Sequence, residues 1–491
     1  MLEGLAIGFQ TVLSLKSLTL VLAGCGIGTV IGMLPGLGPI SAIALMIPVT
    51  YGFDPASGMI LLAGVYYGAI FGGSTSSILI NAPGVAGTVA TSFDGHPLAK
   101  SGQPSKALAI AAYASFAGGT IAAIILVLLA PNLASLALGF QSIDYFLLML
   151  LGLFLVAAFT TDGDYLKALL MTCLGLALST IGTDLTSGVQ RFTFGNMDLI
   201  DGISFLLLAM GTFAMAEALL MVIRNDETSF HGIKRPSIKL EKKEILEIAP
   251  VVGRSSILGF FVGVLPGAGA TIASFLAYGM EKKIATDSSQ FGKGDIKGLA
   301  APETANNAAC TGSFVPLLTL GIPGSGTTAV LLGALVAYGI QPGPRLFLDQ
   351  PEIFWSVIIS MYVGNMFLLF LNLPLIPYLA QILTIPKAFL IPIIIFFSLM
   401  GVYLVSFNTF DIQLLVIIAL CAVCLRVFSF PMAPLLLGFI LGGILEDNLR
   451  RALALADGQW SFLLERPITL ILIFLTSAVL LSPILSKLIR R

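Results

Sequence analysis

The chain has 491 residues, of which 57% are hydrophobic and only 10% are charged, and its mean hydropathy is +0.99. Because soluble domains carry about 25% charged residues, this composition argues against a soluble enzyme and against a disordered chain. The formal net charge of −1 provides no basic surface for phosphate groups, which argues against nucleic acid as a ligand.

Stretches without Asp, Glu, Lys or Arg locate the membrane spans. A helix that crosses a bilayer needs about 20 apolar residues, and several charge-free stretches hold about twice that number, so they contain helical hairpins or broken helices. The longest of these stretches are 17–53, 55–93, 107–143, 304–344 and 353–386. The pattern predicts an all-α polytopic membrane protein with about 12 transmembrane helices.

Two Pro-Gly motifs recur in the same order in the two parts of the chain. LPGLG at 34–38 matches LPGAG at 265–269, and NAPG at 81–84 is matched by GIPG at 321–324. This internal repeat predicts two membrane repeats, and whether they are parallel or inverted is left open. The expected division is a first repeat over 1–223, a basic linker over 224–247 and a second repeat over 248–491.

Each Pro-Gly motif is expected to interrupt a helix inside the membrane. A break frees backbone N–H and C=O groups that lipid cannot satisfy, so they must face protein, a cavity or a ligand. Helix N-termini suit carboxylates and freed carbonyls suit Na⁺, and duplicated broken helices are typical of secondary transporters. We therefore expect re-entrant or broken helical hairpins, with Na⁺ near the tips formed by Pro35, Gly36, Gly38, Pro266, Gly267 and Gly269.

Hydroxyl and amide side chains cluster around the second break of each repeat. Neutral donors beside helix ends can hold a carboxylate or a dehydrated cation. The alternative is that they only join helices through hydrogen bonds worth about 1 kcal/mol each. The candidate substrate-binding residues are Ser74, Thr75, Ser76, Asn81, Gly84, Asn306, Asn307, Thr311, Ser313, Gly324, Ser325 and Thr327.

Glu303 is an ionisable residue in apolar surroundings. Asn306 and Asn307 follow it by three and four positions, which places the three side chains on one helical face. Glu303 either lies at a helix N-terminus, where its charge is favoured, or takes part in cation coupling, and both alternatives are kept.

Three further charged residues are expected to have structural roles. Glu217 lies in an apolar stretch and is expected to pair with a basic group or to extend to the membrane surface. Arg254 begins the second hairpin and is expected to anchor it at the cytoplasmic edge, with attraction of an anionic substrate as the alternative. Asp94 is expected to cap a turn.

The basic segments predict orientation. The loops 224–247 and 281–297 and the C-terminus are rich in Lys and Arg, which places all three in the cytoplasm. The segment 248–280 must then enter the membrane and return, with LPGAGA at its midpoint. The alternative is a single span with one loop on the other side of the membrane.

Enzymatic and channel functions are the alternatives to a carrier. A serine-type intramembrane hydrolase needs a histidine within the bilayer, but His96 and His231 lie in polar segments. An aspartyl-type hydrolase needs two aspartates within the membrane, but Asp162 and Asp164 lie in a short polar link. The chain has no phosphate-binding loop of the G-x-x-x-x-G-K-[ST] type. We expect no enzymatic activity, while an organic-anion channel is kept as the alternative transport function.

The chain resembles the large membrane subunit of tripartite tricarboxylate transporters, the TctA family. Seven segments distributed over nearly the whole chain carry the resemblance. They are GMLPGLGP (32–39), YYGAIFGGS with NAPG (66–84), DGHPLAKSG (94–102), GRSSILGFFVGVLPGAGATIAS (253–274), APETANNAA (301–309), GIPGSGTTAVLLGAL (321–335) and PMAPLLLGFILGGILEDNLRRAL (431–453).

The resemblance implies a secondary transporter of the bacterial inner membrane that imports tri- or dicarboxylates, driven by a cation gradient, commonly Na⁺ or otherwise H⁺. It implies two protein partners, a small membrane subunit and a periplasmic solute-binding protein, and no cofactor besides the coupling ion. A homodimer is left open, as is the particular carboxylate. By analogy with other carriers that have paired hairpins, we expect an elevator-like movement of a transport domain against a scaffold.

Overall fold

A computed structural model describes residues 2–34, 36–158, 165–184, 186–223, 240–381, 385–456 and 466–489. Nine helices in this part of the chain are long and apolar enough to cross a membrane, and five shorter apolar helices accompany them. The nine long helices alone and the fourteen apolar helices together bracket the expected count of about 12 spans. The predicted fold class, an all-α polytopic membrane protein, is confirmed. Of the predicted linker, 224–239 lies outside the described residues.

The first half contains α1 (Leu2–Val12), α2 (Leu15–Met33), α3 (Gly38–Thr50), α4 (Pro55–Ile80), α5 (Val89–Lys100), α6 (Pro104–Ala137), α7 (Ser142–Ala158), α8 (Tyr165–Ser179), α9 (Phe205–Ala209) and α10 (Ala216–Ile223). Short 3-10 helices lie at Ala86–Thr88 and Met197–Leu199, and a π-helical segment, Met210–Met215, joins α9 to α10. Two short antiparallel strands, β1 (Gly182–Thr183) and β2 (Gln190–Arg191), lie between α8 and α9.

The second half contains α11 (Lys242–Val264), α12 (Gly269–Ile284), α13 (Ile296–Gly312), α14 (Phe314–Leu320), α15 (Gly326–Ala337), α16 (Pro344–Asp349), α17 (Pro351–Asn372), α18 (Ile376–Leu379), α19 (Lys387–Ser406), α20 (Thr409–Val427), α21 (Met432–Leu455) and α22 (Pro467–Ile489). The order of long helix, short helix, long helix and short helix in α2–α5 recurs in α11–α15 when α13 and α14, which only Ser313 separates, are counted as one long helix.

Glycines allow the long helices of each half to approach closely. Gly32 of α2 lies against the backbone of Ala69 in α4, and Gly263 of α11 lies in the corresponding place against Ala309 of α13. A Cβ atom at either glycine would overlap the carbonyl oxygen of the neighbouring helix. Membrane helices associate mainly through such packing because lipid is as apolar as their side chains.

The first break in each half has the same backbone conformation. Gly36 has φ +93° and Gly267 has φ +85°, while Gly38 and Gly269 both have φ +58°. Positive φ values of this kind are readily adopted by glycine and rarely by other residues. The predicted helix breaks at the LPGxG motifs are therefore present, although Pro35 itself lies outside the described residues.

Polar contacts show which helices begin at the same end of the molecule. Lys106 at the start of α6 lies 2.5 Å from Glu244 at the start of α11, and Lys297 at the start of α13 lies 3.1 Å from Glu247. The end of the molecule at which α6, α11 and α13 begin is called the linker end here, because the predicted linker immediately precedes α11.

The first half begins at the opposite end, the far end. Helix α6 has 34 residues and is about 51 Å long, and the segment that follows it lines a cleft together with Pro342. In the adjoining loop, Tyr338 donates a 2.6 Å hydrogen bond to the carbonyl of Thr50, and Asp54, just before α4, pairs with Lys16 at the start of α2. Helices α2 and α4 therefore begin at the far end, so the halves are inverted.

The helical hairpin expected over 248–280 is confirmed. Helices α11 and α12 are joined by the break at 265–268, and they return to the same end of the molecule. Arg254 of α11 makes two hydrogen bonds with the carboxylate of Glu281 in α12, at 2.8 and 2.7 Å. Arg254 thus joins the two arms of the hairpin near its open end.

Candidate functional site

The two breaks of each half are in contact. The N–H of Gly267 donates a 3.0 Å hydrogen bond to the carbonyl of Gly324, which joins the LPGAG tip to the GIPG break. In the first half, a Cβ atom at Gly84 would overlap the carbonyl oxygen of Gly32, and one at Gly38 would lie 3.8 Å from the carbonyl oxygen of Gly84. Each pair of breaks therefore forms one compact unit.

The two units also meet across the halves. Gly87, which follows the NAPG break, lies against Ala270 of α12, and Gly326 at the start of α15 lies against Ile40 of α3. The N-termini of α3, α12 and α15 consequently converge on one region. The first turns of these helices carry N–H groups without intrahelical partners and a partial positive charge, which is the environment that a carboxylate prefers.

A buried carboxylate lies next to these breaks. Glu303 of α13 is fully buried and accepts hydrogen bonds from Ser74 of α4 at 2.7 Å and from Ser115 of α6 at 2.8 Å. Thr91 of α5 donates a further short hydrogen bond, and the Asn306 amide lies 3.5 Å away. Side chains of both halves thus surround a single carboxylate.

No basic group neutralises this carboxylate within the described part of the chain, where none of the ion pairs involves Glu303. An isolated ionised carboxylate in an apolar interior costs on the order of tens of kcal/mol in the idealised limit. Hydrogen bonds offset part of that cost, and the remainder requires a proton or a metal cation. The surroundings of Glu303 therefore fit a cation site.

One of the two alternatives for Glu303 is wrong. Helix α13 begins at Ile296, and Asp295 caps its N-terminus by accepting hydrogen bonds from the N–H groups of Lys297 and Gly298. Glu303 lies about two turns further along α13. The helix therefore satisfies its first N–H groups with another carboxylate and leaves Glu303 in its interior.

Several of the predicted substrate residues hold the breaks in place. Ser76 accepts a hydrogen bond from the N–H of Gly84 at 3.1 Å, and Ser313 donates one to the carbonyl of Ala309 at 2.7 Å. Ser325 caps α15 by accepting a 3.2 Å hydrogen bond from the N–H of Thr328. These contacts stabilise the interrupted backbone, and a substrate-binding role for the three serines stays a prediction.

The amides of α13 form a chain of hydrogen bonds. Asn306 donates to the carbonyl of Gly87 at 3.4 Å, and Asn307 donates to Oδ1 of Asn306 at 2.6 Å. The Oδ1 atom of Asn307 is buried and has no hydrogen-bond partner among the described residues. One turn along, Thr311 accepts a 3.4 Å hydrogen bond from the hydroxyl of Tyr67.

Four remaining residues of the predicted site have different positions. Asn81 ends α4 in the left-handed conformation, with φ +52°, and its side chain is exposed. Thr327 is buried in the first turn of α15, Thr75 is buried in α4, and Gly269 lies beside Ser325. The structure therefore brings together the Glu303, Asn306 and Ser74 group but leaves Asn81 at the edge.

The tips of the two LPGxG breaks contact other helices. A Cβ atom at Gly36 would lie 2.5 Å from Oε1 of Glu217, whose Oε2 accepts a 2.6 Å hydrogen bond from Arg426. The tip at Gly267 packs against the backbone of Val156 in α7, and Pro266 lies near α7 as well. The expected pairing of Glu217 with a basic group is confirmed.

Asp94 also connects the two halves. Its Oδ1 accepts three hydrogen bonds of 2.8 Å, from the N–H groups of Gly292, Gly294 and Asp295. Asp94 does cap a turn, but the prediction that this turn lies in its own segment FDGHPLAKSG is wrong, since the turn belongs to the other half. The reason is that α5 continues through Asp94 as far as Lys100. There is no turn at Asp94 itself, and its side chain accepts hydrogen bonds from a loop that is distant in sequence.

Two residues of the Glu303 group, Thr91 and Ser115, were not among the predicted site residues. Each is a hydroxyl in an apolar stretch away from the Pro-Gly motifs. Nothing in the local pattern distinguishes them from hydroxyls that only join helices. Their role is visible only because α5 and α6 pack against α13.

A wide cleft of about 1110 Å³ opens at the far end. Arg345 and Arg451 line it together with Gln141, and Gly321 of the GIPG break forms part of its wall. The second break is therefore adjacent to a polar cavity that a small anion could enter.

Comparison with known proteins adds four findings. The family model described as "Tripartite tricarboxylate transporter TctA family" matches residues 18–437. The Agrobacterium vitis protein named "Uncharacterized 52.8 kDa protein in TAR-I ttuC' 3'region" is 43% identical over 472 residues, which cover 95% of this chain and 93% of that protein. A second Agrobacterium vitis protein, "Uncharacterized protein in TAR-II ttuC' 3'region", is 45% identical over 211 residues, which cover 43% of this chain and 87% of that protein. No solved structure matches the chain.

Proposed function

The chain belongs to the tripartite tricarboxylate transporter TctA family, and we propose that it is the membrane-embedded large subunit of a receptor-dependent secondary transporter that imports organic anions. Its family is one of transporters, and its apolar helices make it a multi-pass membrane protein. The proposed substrates are tri- or dicarboxylates, and the proposed driving force is a cation gradient, with Na⁺ favoured over H⁺.

The observation that carries this proposal is the convergence of the broken helices. Gly267 bonds to Gly324 within the second half, and Gly87 and Ala270 are in contact across the halves. Three helix N-termini therefore surround one region. Their N–H groups and partial positive charge can bind a carboxylate without the help of a basic side chain. We place the organic anion there, next to Asn306 and Thr311.

Glu303 supports the proposed cation coupling. Among the described residues this carboxylate has no basic partner, so a bound cation would change its electrostatic environment strongly. Its hydrogen-bond partners lie on α4, α5 and α6, and Glu303 itself lies on α13. A bound cation would lower the cost of placing a polyanion nearby, so the two ligands would favour each other's binding. That mutual effect is the thermodynamic basis of symport.

The proposed orientation places the linker end in the cytoplasm of a cell with an inner membrane. Lys282 and Lys283 lie at that end, at the base of the α11–α12 hairpin, and both are exposed. This distribution agrees with the preference of cytoplasmic loops for Lys and Arg. The far-end cleft would then face a periplasmic solute-binding protein, and a small membrane subunit would cover part of the lipid-facing surface. The proposal includes a homodimer of this chain, which a measurement of its oligomeric state would test.

Transport is proposed to proceed by an elevator-like movement in which the converging breaks move through the membrane. Inverted halves provide two related conformations of opposite sidedness, as in other carriers with inverted repeats. The proposal requires the substrate to change its depth in the bilayer between outward-facing and inward-facing states. A substrate at the same depth in both states would refute it.

The test is uptake of labelled organic acids by proteoliposomes that contain this chain, the small membrane subunit and the receptor. We expect uptake of at least one tri- or dicarboxylate, increased by an inward Na⁺ gradient. Preloading with unlabelled substrate should accelerate entry of the label, because a carrier exchanges substrates whereas an open channel does not. Absence of uptake for the whole panel would overturn the proposed function, and uptake without counterflow would indicate a channel.

A further inference from the structure

A small void lies between α4, α6 and α17, close to Glu303. Its volume of about 10 Å³ is near the minimum that accommodates one water molecule. Ser74, Thr75, Ser115 and Asn372 contribute polar side chains to its wall, and the remainder is apolar. Two of these residues, Ser74 and Ser115, are hydrogen-bonded to the Glu303 carboxylate, so the void is separated from that charge by a single hydroxyl layer.

Asn372 lines this void and carries an unused acceptor. Its side chain is only 4% exposed, and its amide nitrogen donates a 3.0 Å hydrogen bond to the carbonyl of Leu368. Its Oδ1 atom has no hydrogen-bond partner among the described residues. Buried acceptors are nearly always satisfied because leaving one unpaired is costly. An atom that binds to Oδ1 from the void would remove that cost.

The polar groups around the void can present oxygen atoms to a cation. The hydroxyl of Ser115 donates to Glu303, and that of Ser74 donates to Glu303 at 2.7 Å and lies 3.2 Å from the carbonyl oxygen of Ile70. A hydroxyl that donates its proton keeps its oxygen lone pairs as acceptors. The carbonyl-type oxygen of Asn372 and the hydroxyl of Thr75 complete a set of neutral oxygen donors. Hard cations prefer such ligands, and the charge of Glu303 compensates for their lost hydration.

We propose that this void is a Na⁺ site, with Oδ1 of Asn372 and the hydroxyl oxygens of Ser74, Thr75 and Ser115 as ligands and with Glu303 as the neutralising charge behind them. The inference rests on the proposed cation coupling and identifies where the ion binds. A proton requires only one basic atom and would make no use of the amide oxygen or of the volume. A water-sized space lined by neutral oxygens fits a dehydrated metal ion.

The experiment measures Na⁺ binding to the purified full-length chain in detergent, without substrate or partners. Thermal unfolding is followed while NaCl replaces choline chloride at constant ionic strength, and KCl serves as a second comparison. We expect Na⁺ to raise the melting temperature in a saturable manner, since a ligand of the folded state stabilises it by mass action. Asn372→Leu and Ser115→Ala should each increase the apparent Na⁺ dissociation constant at least tenfold.

Matched variants outside the void separate ion binding from general damage. Ser398→Ala and Thr212→Val remove buried hydroxyls that bond only to a helix carbonyl, at Ile394 and Leu208 respectively. They should leave the apparent Na⁺ dissociation constant unchanged, whereas Thr75→Val should increase it. If Asn372→Leu does not yield folded protein, Asn372→Asp, which keeps an oxygen atom at the same place, should still bind Na⁺.

Failure of this inference and failure of the proposed function give different results. If the wild-type protein is not stabilised by Na⁺, or if Asn372→Leu and Ser115→Ala bind Na⁺ as the wild type does, the site is overturned. Stabilisation by lower pH with no response to Na⁺ would overturn it in favour of a proton at Glu303. In each of these cases carboxylate uptake by the reconstituted system would continue, driven by Na⁺ bound elsewhere or by a proton gradient, and only its complete absence would refute the transport function.

Discussion

Ser74 of α4 donates a 2.7 Å hydrogen bond to Oε2 of Glu303 in α13, and this bond joins the two inverted halves in the fully buried interior. Ser74 lies on α4 of the first half, and Glu303 lies on α13, the corresponding helix of the second half. Because a carboxylate is otherwise very costly at such a position, the pair marks the place where the halves depend on each other chemically.

Replacing the Glu303 carboxylate with an amide should abolish coupled transport. Glu303→Gln keeps the size of the side chain but removes the negative charge, so the proposed cation would lose its compensating partner. We expect uptake of labelled carboxylate to fall at least a hundredfold, with normal membrane insertion. Glu352→Gln, which changes an exposed residue hydrogen-bonded to Thr11, should transport at the parental rate. Substantial Na⁺-driven uptake by Glu303→Gln would exclude the carboxylate from coupling.

Removing the Asn306 amide should disrupt the junction of the two halves. The amide reaches both the carbonyl of Gly87 and the Glu303 carboxylate, so Asn306→Ala leaves buried polar groups without their donor. We expect loss of most uptake and a decrease of about 1–3 kcal/mol in the free energy of unfolding. The measurements are uptake and thermal unfolding. Asn132→Ala, at an exposed amide that bonds only to the carbonyl of Leu128, is the matched control, and equal uptake by both variants would contradict the prediction.

A side chain at Gly267 should block the second hairpin tip. The glycine has φ +85°, and a Cβ atom there would come within 2.5 Å of Cα of Val156. Gly267→Val therefore combines an unfavourable backbone conformation with a steric overlap. We expect transport to stop. The comparison is Gly279→Val, because nothing lies within 4 Å of a Cβ atom at Gly279. Near-normal transport by Gly267→Val would show that close approach of the tip is not required.

Stability should depend on pH through Asp54 at the far end. Burial alone would raise the pKa of Asp54, but hydrogen bonds from Lys16 and Ser57 outweigh this effect and lower the pKa to about 2. A carboxylate whose pKa is lowered by folding stabilises the folded state above its unfolded value of about 3.9, and this contribution is lost as the pH falls towards 2. The side chains of this ion pair are half exposed, so the effect should be below about 1 kcal/mol.

The check on this pH dependence is thermal unfolding of the wild type and of Asp54→Asn between pH 3 and pH 8. The difference in melting temperature should be constant above about pH 5, and it should shrink as the pH falls below about 4. A difference that grows under acidic conditions would contradict the assignment.

The helix breaks could be predicted from sequence because their cause is local. LPGxG supplies both the proline that ends a helix and the glycines that adopt positive φ, and the two copies have nearly equal φ values at Gly36 and Gly267. Glu303 could be identified as unusual because it is a charge among apolar residues. Its role could not be decided between two alternatives, because the N-terminus of α13 is fixed by the Asp295 cap eight residues earlier.

The surroundings of Glu303 could not be predicted, because they come from distant parts of the chain. Ser115 and Thr91 are ordinary hydroxyls until α5 and α6 pack against α13. The same holds for Glu217, whose partner Arg426 lies on α20. The inversion of the halves was also undetermined, because a repeated motif has no direction relative to the membrane until contacts such as that of Lys106 with Glu244 are known.

The hydrogen bonds between Asp94 and the backbone at 292–295 limit how the chain can be divided into parts that move separately. The carboxylate lies in the first half and the turn lies in the second. Separating them would leave three backbone N–H groups without their hydrogen-bond acceptor. Any displacement that preserves these hydrogen bonds must carry pieces of both halves as a single body. In the proposed elevator-like movement, the moving body would therefore contain parts of both sequence repeats.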